Sequence, residues 1–175
     1  MVLEDHQPVE VAVVGAGRVG TALVSALPGA AGPFGRGFDG GGHGVVLLAV
    51  PDREIAAAAA AIAPFDGRLV GHCSGATTLD VLVPHERFGL HPLMTFSRST
   101  TGAATFAGAS AAVAGSSERA LDTATALAEQ LGMRPFVIHD AHRAAYHAAA
   151  SISSNFLVTV EDAAEVLLGD AGLDR

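Results

Sequence analysis

The residues able to do chemistry fall in three places. Gly15, Gly17 and Gly20 stand in G-x-G-x-x-G spacing inside VAVVGAGRVG. Such a turn brings backbone N–H groups close to an anion: Gly15 permits the bend, Gly17 the approach of a pyrophosphate, and Gly20 the packing of helix on strand. Pro51-Asp52, His72-Cys73-Ser74-Gly75 and His91-Pro92 each close a short apolar run. The two histidines suit general acid–base work, because imidazole titrates near neutrality. Ser74 offers a hydroxyl to a nicotinamide or substrate, or to the start of a short helix. His147, Ser151 and Asn155 recur every four residues with Ser154 beside them, so they share a helix face; Tyr146 adjoins His147 on another face. As a ligand wall, that row gives a proton from His147 or Tyr146 and a grip on a substrate oxygen or nitrogen from Asn155. The plainer reading is hydrogen bonding between helices or exposure to water.

These groups need elements to hold them. Val9 to Val14 reads as a strand buried on both faces, and RVGTALVSAL as the helix after the glycine turn. The segment 28–44 has room only for a stub strand near Pro33 to Gly35 and a loop, a βαβ unit trimmed of its helix. VVLLAV, Val45 to Val50, is the next strand; Pro51 ends it, and Asp52 is placed to cap the helix of residues 53–63. Strands follow at Arg68 to Cys73, Arg87 to His91, Ala109 to Gly115 and Arg134 to Ile138. Between them lie a short helix at Thr78 to Val83, a loop across the strand ends, and a helix capped by Ser116 or Ser117 and stopped at Gly132. The alternation predicts an α/β, doubly wound parallel sheet, whose ligands sit at the carboxyl ends of the strands. From Ala141 to Gly169 the chain reads as one helix of about 40 Å. Its two apolar stripes need cover from a partner subunit or from further helices. The expected division is a dinucleotide-binding domain at 1–139 and the first helix of a C-terminal helical domain at 140–175.

Composition narrows the chemistry. The chain has 175 residues, half of them hydrophobic, and a net charge of −8, which argues against a nucleic-acid surface. A single cysteine excludes an intramolecular disulfide and fits a reducing cytoplasm. No run is long and apolar enough to suggest a membrane span. All ten basic residues are arginine. Without lysine there is no Tyr-x-x-x-Lys pair, since Ala150 stands four residues after Tyr146. His139, His142 and His147 do not share a helical face, so no metal is expected. Arg36, near the end of the stub strand, favours NADP through its 2′-phosphate; Asp39, an acid for ribose hydroxyls, is the weaker case for NAD.

VVGAGRVGTAL, LLAVPDREI, VGHCSGA, LHPLMTF and AYHAAASISSNFLVT together resemble bacterial Rossmann-like proteins that carry a C-terminal domain of unknown function (number 2520). Those proteins are similar to pyrroline-5-carboxylate reductase and the deazaflavin-linked NADP oxidoreductases. The resemblance runs from Val9 to Arg175. It implies an NADP-binding domain, a helical dimerisation domain and a cleft between them. It places Gly15, Gly17, Arg18 and Val19 at the pyrophosphate, and Pro51, Asp52 and Ser74 near the ribose and nicotinamide. His91, Tyr146, His147 and Asn155 line the substrate side. Two departures stand out: the trimmed second βαβ unit and a helical domain reduced to its first helix. The expectation is a cytoplasmic NADP-dependent oxidoreductase that reduces a small C=O or C=N compound and pairs as a homodimer through its C-terminal helix. The alternative is a dinucleotide-binding or sensing module without catalysis. A methyltransferase is disfavoured, because Val19 stands where a G-x-G-x-G loop has glycine.

Overall fold

The computed structural model describes residues 9–96 and 102–173, the side chains of Ala103 and Asn155 excepted. Among these described residues seven strands form one sheet: β1 (Ala12–Val14), β2 (Ala31–Phe34), β3 (Val45–Leu48), β4 (Leu69–His72), β5 (Glu86–Pro92), β6 (Ser110–Gly115) and β7 (Arg134–Val137). Their order across the sheet is β2-β1-β3-β4-β5-β6-β7. The chain leaves β1 toward β2, then crosses back to β3 on the other side of β1. That reversal opens a crevice at the carboxyl ends of β1 and β3.

Alternate residues of the strands feed two cores. Val11, Val13, Leu47, Phe88, Leu90 and Val113 face α1 (Arg18–Ala26) and α3 (Glu118–Gln130). Ala12, Val14, Val46, Leu48 and Val70 face α2 (Ile55–Ala61) and the short turn Leu79–Leu82. Both faces are covered, so the inner strands carry almost unbroken apolar runs. Ser117 caps α3, its Oγ accepting from the Ala120 amide at 3.1 Å.

The expected doubly wound parallel sheet is present, with one antiparallel pairing toward its edge. β1 to β5 are parallel, but β6 runs antiparallel to β5, and β7 follows β6 in parallel. A parallel return needs a crossover, usually a helix. The stretch between β5 and β6, rich in Ser, Thr, Gly and Ala, has among its described residues only a 3-10 turn at Ala103–Thr105. Apolar alternation is the same in either strand direction, so the pattern alone did not show the reversal.

The trimmed unit is present. Between β2 and β3 there is a loop, held by Arg68 instead of a helix. The buried Arg68 guanidinium donates to the carbonyls of His43 (2.9 Å), Gly41 (2.6 Å), Ala63 (2.6 Å) and Asp39 (3.3 Å).

The expected long C-terminal helix is present, with one irregularity inside it. It starts as α4 (Arg143–Ser151), widens through a π-type turn at Ile152–Phe156, and continues as α5 (Leu157–Asp170). Ser153 and Ser154 hydroxyls bond back to the carbonyls of Ala149 (2.8 Å) and Ala150 (2.9 Å), the local competition that loosens a helix. One extra residue in a turn shifts the register, so apolar stripes counted through this point do not stay on fixed faces. Phe156, Val160 and Leu167 are each more than 60% exposed, on a helix that the described fold leaves uncovered.

Candidate active site

The glycine turn joins β1 to α1. Gly15 has φ +115°, and a Cβ there would lie 2.4 Å from the Ala49 carbonyl oxygen. Gly20 is buried against the turn, where a Cβ would strike the Gly15 carbonyl. Gly17 is different: nothing lies within 4 Å of its absent Cβ. It is the N-cap of α1, with no side-chain cap and no acidic residue in the first turn. The helix-start amides of Arg18 and Val19 are thus free of side-chain caps at the positive end of the helix dipole, an arrangement suited to an anion. The Arg18 side chain is exposed, whereas that of Val19 packs on the core.

This turn opens on a cleft of about 610 Å³ lined by Gly15, Gly17, Arg36, Phe38, Pro51 and Arg53, among others. Arg36 is there as expected, but its Nη2 donates to Glu54 Oε2 at 3.3 Å. Phe38 stacks on Phe34, with ring centroids 3.9 Å apart. Arg53, Glu54 and Phe38 were not singled out from sequence, because a loop arginine or phenylalanine carries no spacing signal. Asp39 is turned to its own loop, where Oδ1 accepts from the Gly41 amide at 2.9 Å.

Asp52 does not cap α2; Pro51 precedes a 3-10 turn at Asp52–Glu54 that leads into the helix without a side-chain cap. Instead Asp52 Oδ2 accepts from Ser74 Oγ at 2.8 Å. Ser74 Oγ also accepts from the amides of Thr77 (3.0 Å) and Ala76 (3.2 Å) and lies 2.9 Å from Thr77 Oγ1. The serine therefore knots the turn after β4, and the Ser74–Asp52 bond ties that turn to the end of β3.

His72 is a core histidine. Its Nδ1 accepts from the Ser74 amide at 3.2 Å, which leaves Nε2 to carry the proton, 3.4 Å from the Thr78 carbonyl. Burial, reinforced by the Arg143 charge, pulls its pKa down to about 4. The Cys73 thiol is pushed up to about 12 by burial, which removes it as a nucleophile.

The chemistry gathers at the end of β5. His91 Nδ1 lies 2.8 Å from the Tyr146 hydroxyl, with the rings at 87°. The His147 ring centroid is 6.4 Å from that of His91. Gly75 gives both imidazoles room: a Cβ there would lie 2.9 Å from His91 Nε2 and 3.0 Å from His147 Nδ1. Tyr146 and His147, expected on different helix faces, straddle His91, because that ring fits between neighbouring side chains. Burial, then the nearby His147 and Arg143, pull the His91 pKa down to about 4, so its ring is neutral at pH 7. Burial pushes the Tyr146 hydroxyl up, and Arg143 opposes the shift.

These residues border a second cleft of about 540 Å³ between the end of β5 and α4, which also takes in Leu93, Ser151 and Ser154. The expected row of His147 and Ser151 is on its wall; the side chain of Asn155 lies outside the described residues. A further residue that sequence reasoning missed is Arg143, buried at the start of α4. No periodicity announces a contact across 69 residues, and that is the separation between Arg143 Nη1 and the Ser74 carbonyl at 3.3 Å. Among the described residues, no three His, Cys, Asp or Glu side chains gather as a metal site. Among them too, no helix is long and apolar enough to cross a membrane.

A reversal point at β1 and β3, a glycine turn at a helix start and helices on both sheet faces define a Rossmann-like α/β protein. The C-terminal part, residues 109–175, matches the family described as "Domain of unknown function (DUF2520)", in agreement with the resemblance read from the sequence. No curated protein matches the sequence. Among solved structures, protein TM1727 from Thermotoga maritima is similar with a TM-score of 0.79 and 24% identity, over 94% of this chain and 71% of that one. An NADH-preferring ketol-acid reductoisomerase from an uncultured archean gives 0.72 and 15%, over 94% and 62%. The pyrroline carboxylate reductase of Plasmodium falciparum, solved with NADP bound, gives 0.67 and 11%, over 95% and 71%. At these identities the likeness is one of fold.

Proposed function

We propose that the protein binds a nicotinamide dinucleotide, NADP in preference to NAD, and reduces a small C=O or C=N compound. The observation that carries this reading is the Tyr146–His91 hydrogen bond of 2.8 Å beside a cleft. The pair stands along the same strand ends as the glycine turn: β1, β3, β4 and β5 are consecutive neighbours in the sheet. Pro51 borders the first cleft, Asp52 is bonded to Ser74, and Gly75 touches the space of His91, so the two clefts are joined by a continuous rim.

The residues fit the cofactor. Uncapped amides at the start of α1 and the bare Gly17 suit a pyrophosphate, and Arg36 with Arg53 gives the first cleft positive charge for a 2′-phosphate. A reduced nicotinamide, when bound, supplies a hydride to the carbon of the C=O or C=N group. The protein then has to deliver one proton to the oxygen or nitrogen, giving an alcohol or amine. Tyr146 is the donor, and His91, neutral at pH 7, orients its hydroxyl. His147, exposed at the same cleft, and Asn155 are assigned to hold the substrate. The exposed apolar helix α5 supports pairing with a second copy through the C-terminal helix, the arrangement proposed for the assembled protein.

The test is a fluorescence titration of NADPH and NADH against wild type and Arg36→Ala, followed by NADPH oxidation with a panel of small carbonyls and imines. Binding of neither dinucleotide overturns the reading. An NADPH/NADH affinity ratio unchanged by Arg36→Ala removes the phosphate role of that residue. Tight binding without oxidation across the panel favours a sensing module.

A further inference from the structure

A tyrosine is a weak acid at neutral pH, and it gives up its proton readily only where a nearby positive charge stabilises the anion. Lysine is the common source of that charge, and this chain has none. The side chain best placed to substitute is Arg143, one helical turn before Tyr146 and 1% exposed.

Arg143 is tied in on two sides. Nε donates to Asp140 Oδ1 at 2.5 Å, and Asp140 Oδ2 accepts from the Leu79 amide at 2.8 Å. Nη1 donates to the Ser74 carbonyl at 3.3 Å. Nη2 is buried and has no hydrogen-bond partner among the described residues. The guanidinium lies over β5, where a Cβ on Gly89 would come within 2.6 Å of Nη2. Burying a guanidinium is costly, and a well-packed apolar side chain would dock a helix without that cost. An unsatisfied buried N–H adds to it. Packing alone therefore gives no reason for a charge here.

The groups that face Tyr146 and His91 come from several elements. They are His147 and Arg143 of α4, Phe136 of β7, His72 of β4 and Asp52 beyond β3; Asp140, before α4, acts on His72 and is bonded to Arg143. Among these described residues the fixed cation is Arg143. Both carboxylates are engaged, Asp52 by Ser74 and Asp140 by Leu79 and Arg143.

We propose that Arg143 is the positioning residue of the Tyr146–His91 pair: its guanidinium pins the first turn of α4 to the ends of β4 and β5 and supplies the positive charge that lets Tyr146 release its proton. This rests on the reading of Tyr146 as proton donor. In that scheme the Tyr146 proton passes to the substrate heteroatom, the tyrosinate faces Arg143, and solvent returns the proton at the end of the cycle.

The experiment needs no substrate. Tyr146 is the one tyrosine of the chain, and there is no tryptophan, so the tyrosinate absorbance band reads this hydroxyl alone. Arg143→Gln retains a donor for the Ser74 carbonyl but loses the charge; the Tyr146 ionisation constant is expected to fall about tenfold below wild type. Arg143→Lys keeps the charge and restores most of that loss. An unchanged midpoint in Arg143→Gln, with circular dichroism showing a folded protein, overturns the proposal. If Arg143→Gln does not fold, Gly89→Ala serves, because its methyl displaces Nη2 without removing the charge. A raised midpoint then supports the role of Arg143, and an unchanged one refutes it. NADPH titration on wild type separates the two claims: no binding refutes the reading of the site, whereas intact binding with an unmoved Tyr146 midpoint refutes Arg143 alone.

Discussion

The Tyr146 hydroxyl, on the C-terminal helix, meets Nδ1 of His91, at the end of β5, at 2.8 Å across 55 residues of sequence. This contact joins the two parts of the chain at the point where chemistry is proposed, and its removal has a definite consequence. Tyr146→Phe keeps the ring that packs edge-on against Phe136 and loses only the hydroxyl. NADPH affinity is expected to stay within about twofold, while single-turnover reduction of any substrate turned over by wild type falls about 100-fold or more. Equal rates for the two proteins in a stopped-flow assay would remove Tyr146 from the mechanism.

The glycines separate fold from function. Gly17→Ala meets no atom within 4 Å, so the melting temperature should stay within a few degrees of wild type. The added methyl stands where a pyrophosphate would approach, and NADPH binding should weaken about tenfold or more. Gly15→Ala combines φ +115° with a 2.4 Å clash on the Ala49 carbonyl, so it should destabilise the protein by about 1–3 kcal/mol as well as abolish binding. Parallel melting and fluorescence titrations distinguish the two.

Arg68 predicts a purely structural loss. Arg68→Ala leaves four backbone carbonyls without their shared donor. Urea denaturation should show a loss of about 3 kcal/mol or more, given that a hydrogen bond to a charged group contributes about 1.5–3 kcal/mol. Limited proteolysis should then cut first at 39–44, the loop that Arg68 holds.

Stability should fall with acid as pH drops below 6.5. The His72 pKa is lowered in the folded protein from 6.5 to about 4, so between those values the unfolded chain binds a proton that the folded one refuses. Stability is therefore full above pH 6.5 and lost as pH falls toward 4, by about 3 kcal/mol for this group. His91, lowered in the same direction, steepens the loss. Urea midpoints measured across this range should drop in wild type and drop less in His91→Gln, where His72 alone remains. A flat wild-type profile would show that neither ring is held neutral.

The division between sequence and structure runs along the physics of each signal. Local and periodic features were legible in the order of residues. The valine run before Gly15 announced β1, the glycine spacing announced the turn, and the serine pair Ser116-Ser117 announced the start of α3, with Ser117 proving to be the cap. The absence of a helix between β2 and β3 was also plain, because seventeen glycine-rich residues, 28–44, leave no room for one. What the sequence did not decide was anything that depends on which surfaces meet. The direction of β6 depended on a return path, which apolar alternation does not encode. Asp52 looked like a helix cap until the fold set it against Ser74, 22 residues away. The His147–Ser151 row was readable as a helix face, but that Tyr146 and His147 both close on His91 follows from the docking of α4 on the sheet ends. Arg143, the buried cation of the site, carries no pattern at all. Its role comes from the low dielectric around it and from Gly89 and Ser74, which tertiary structure alone brings to its side.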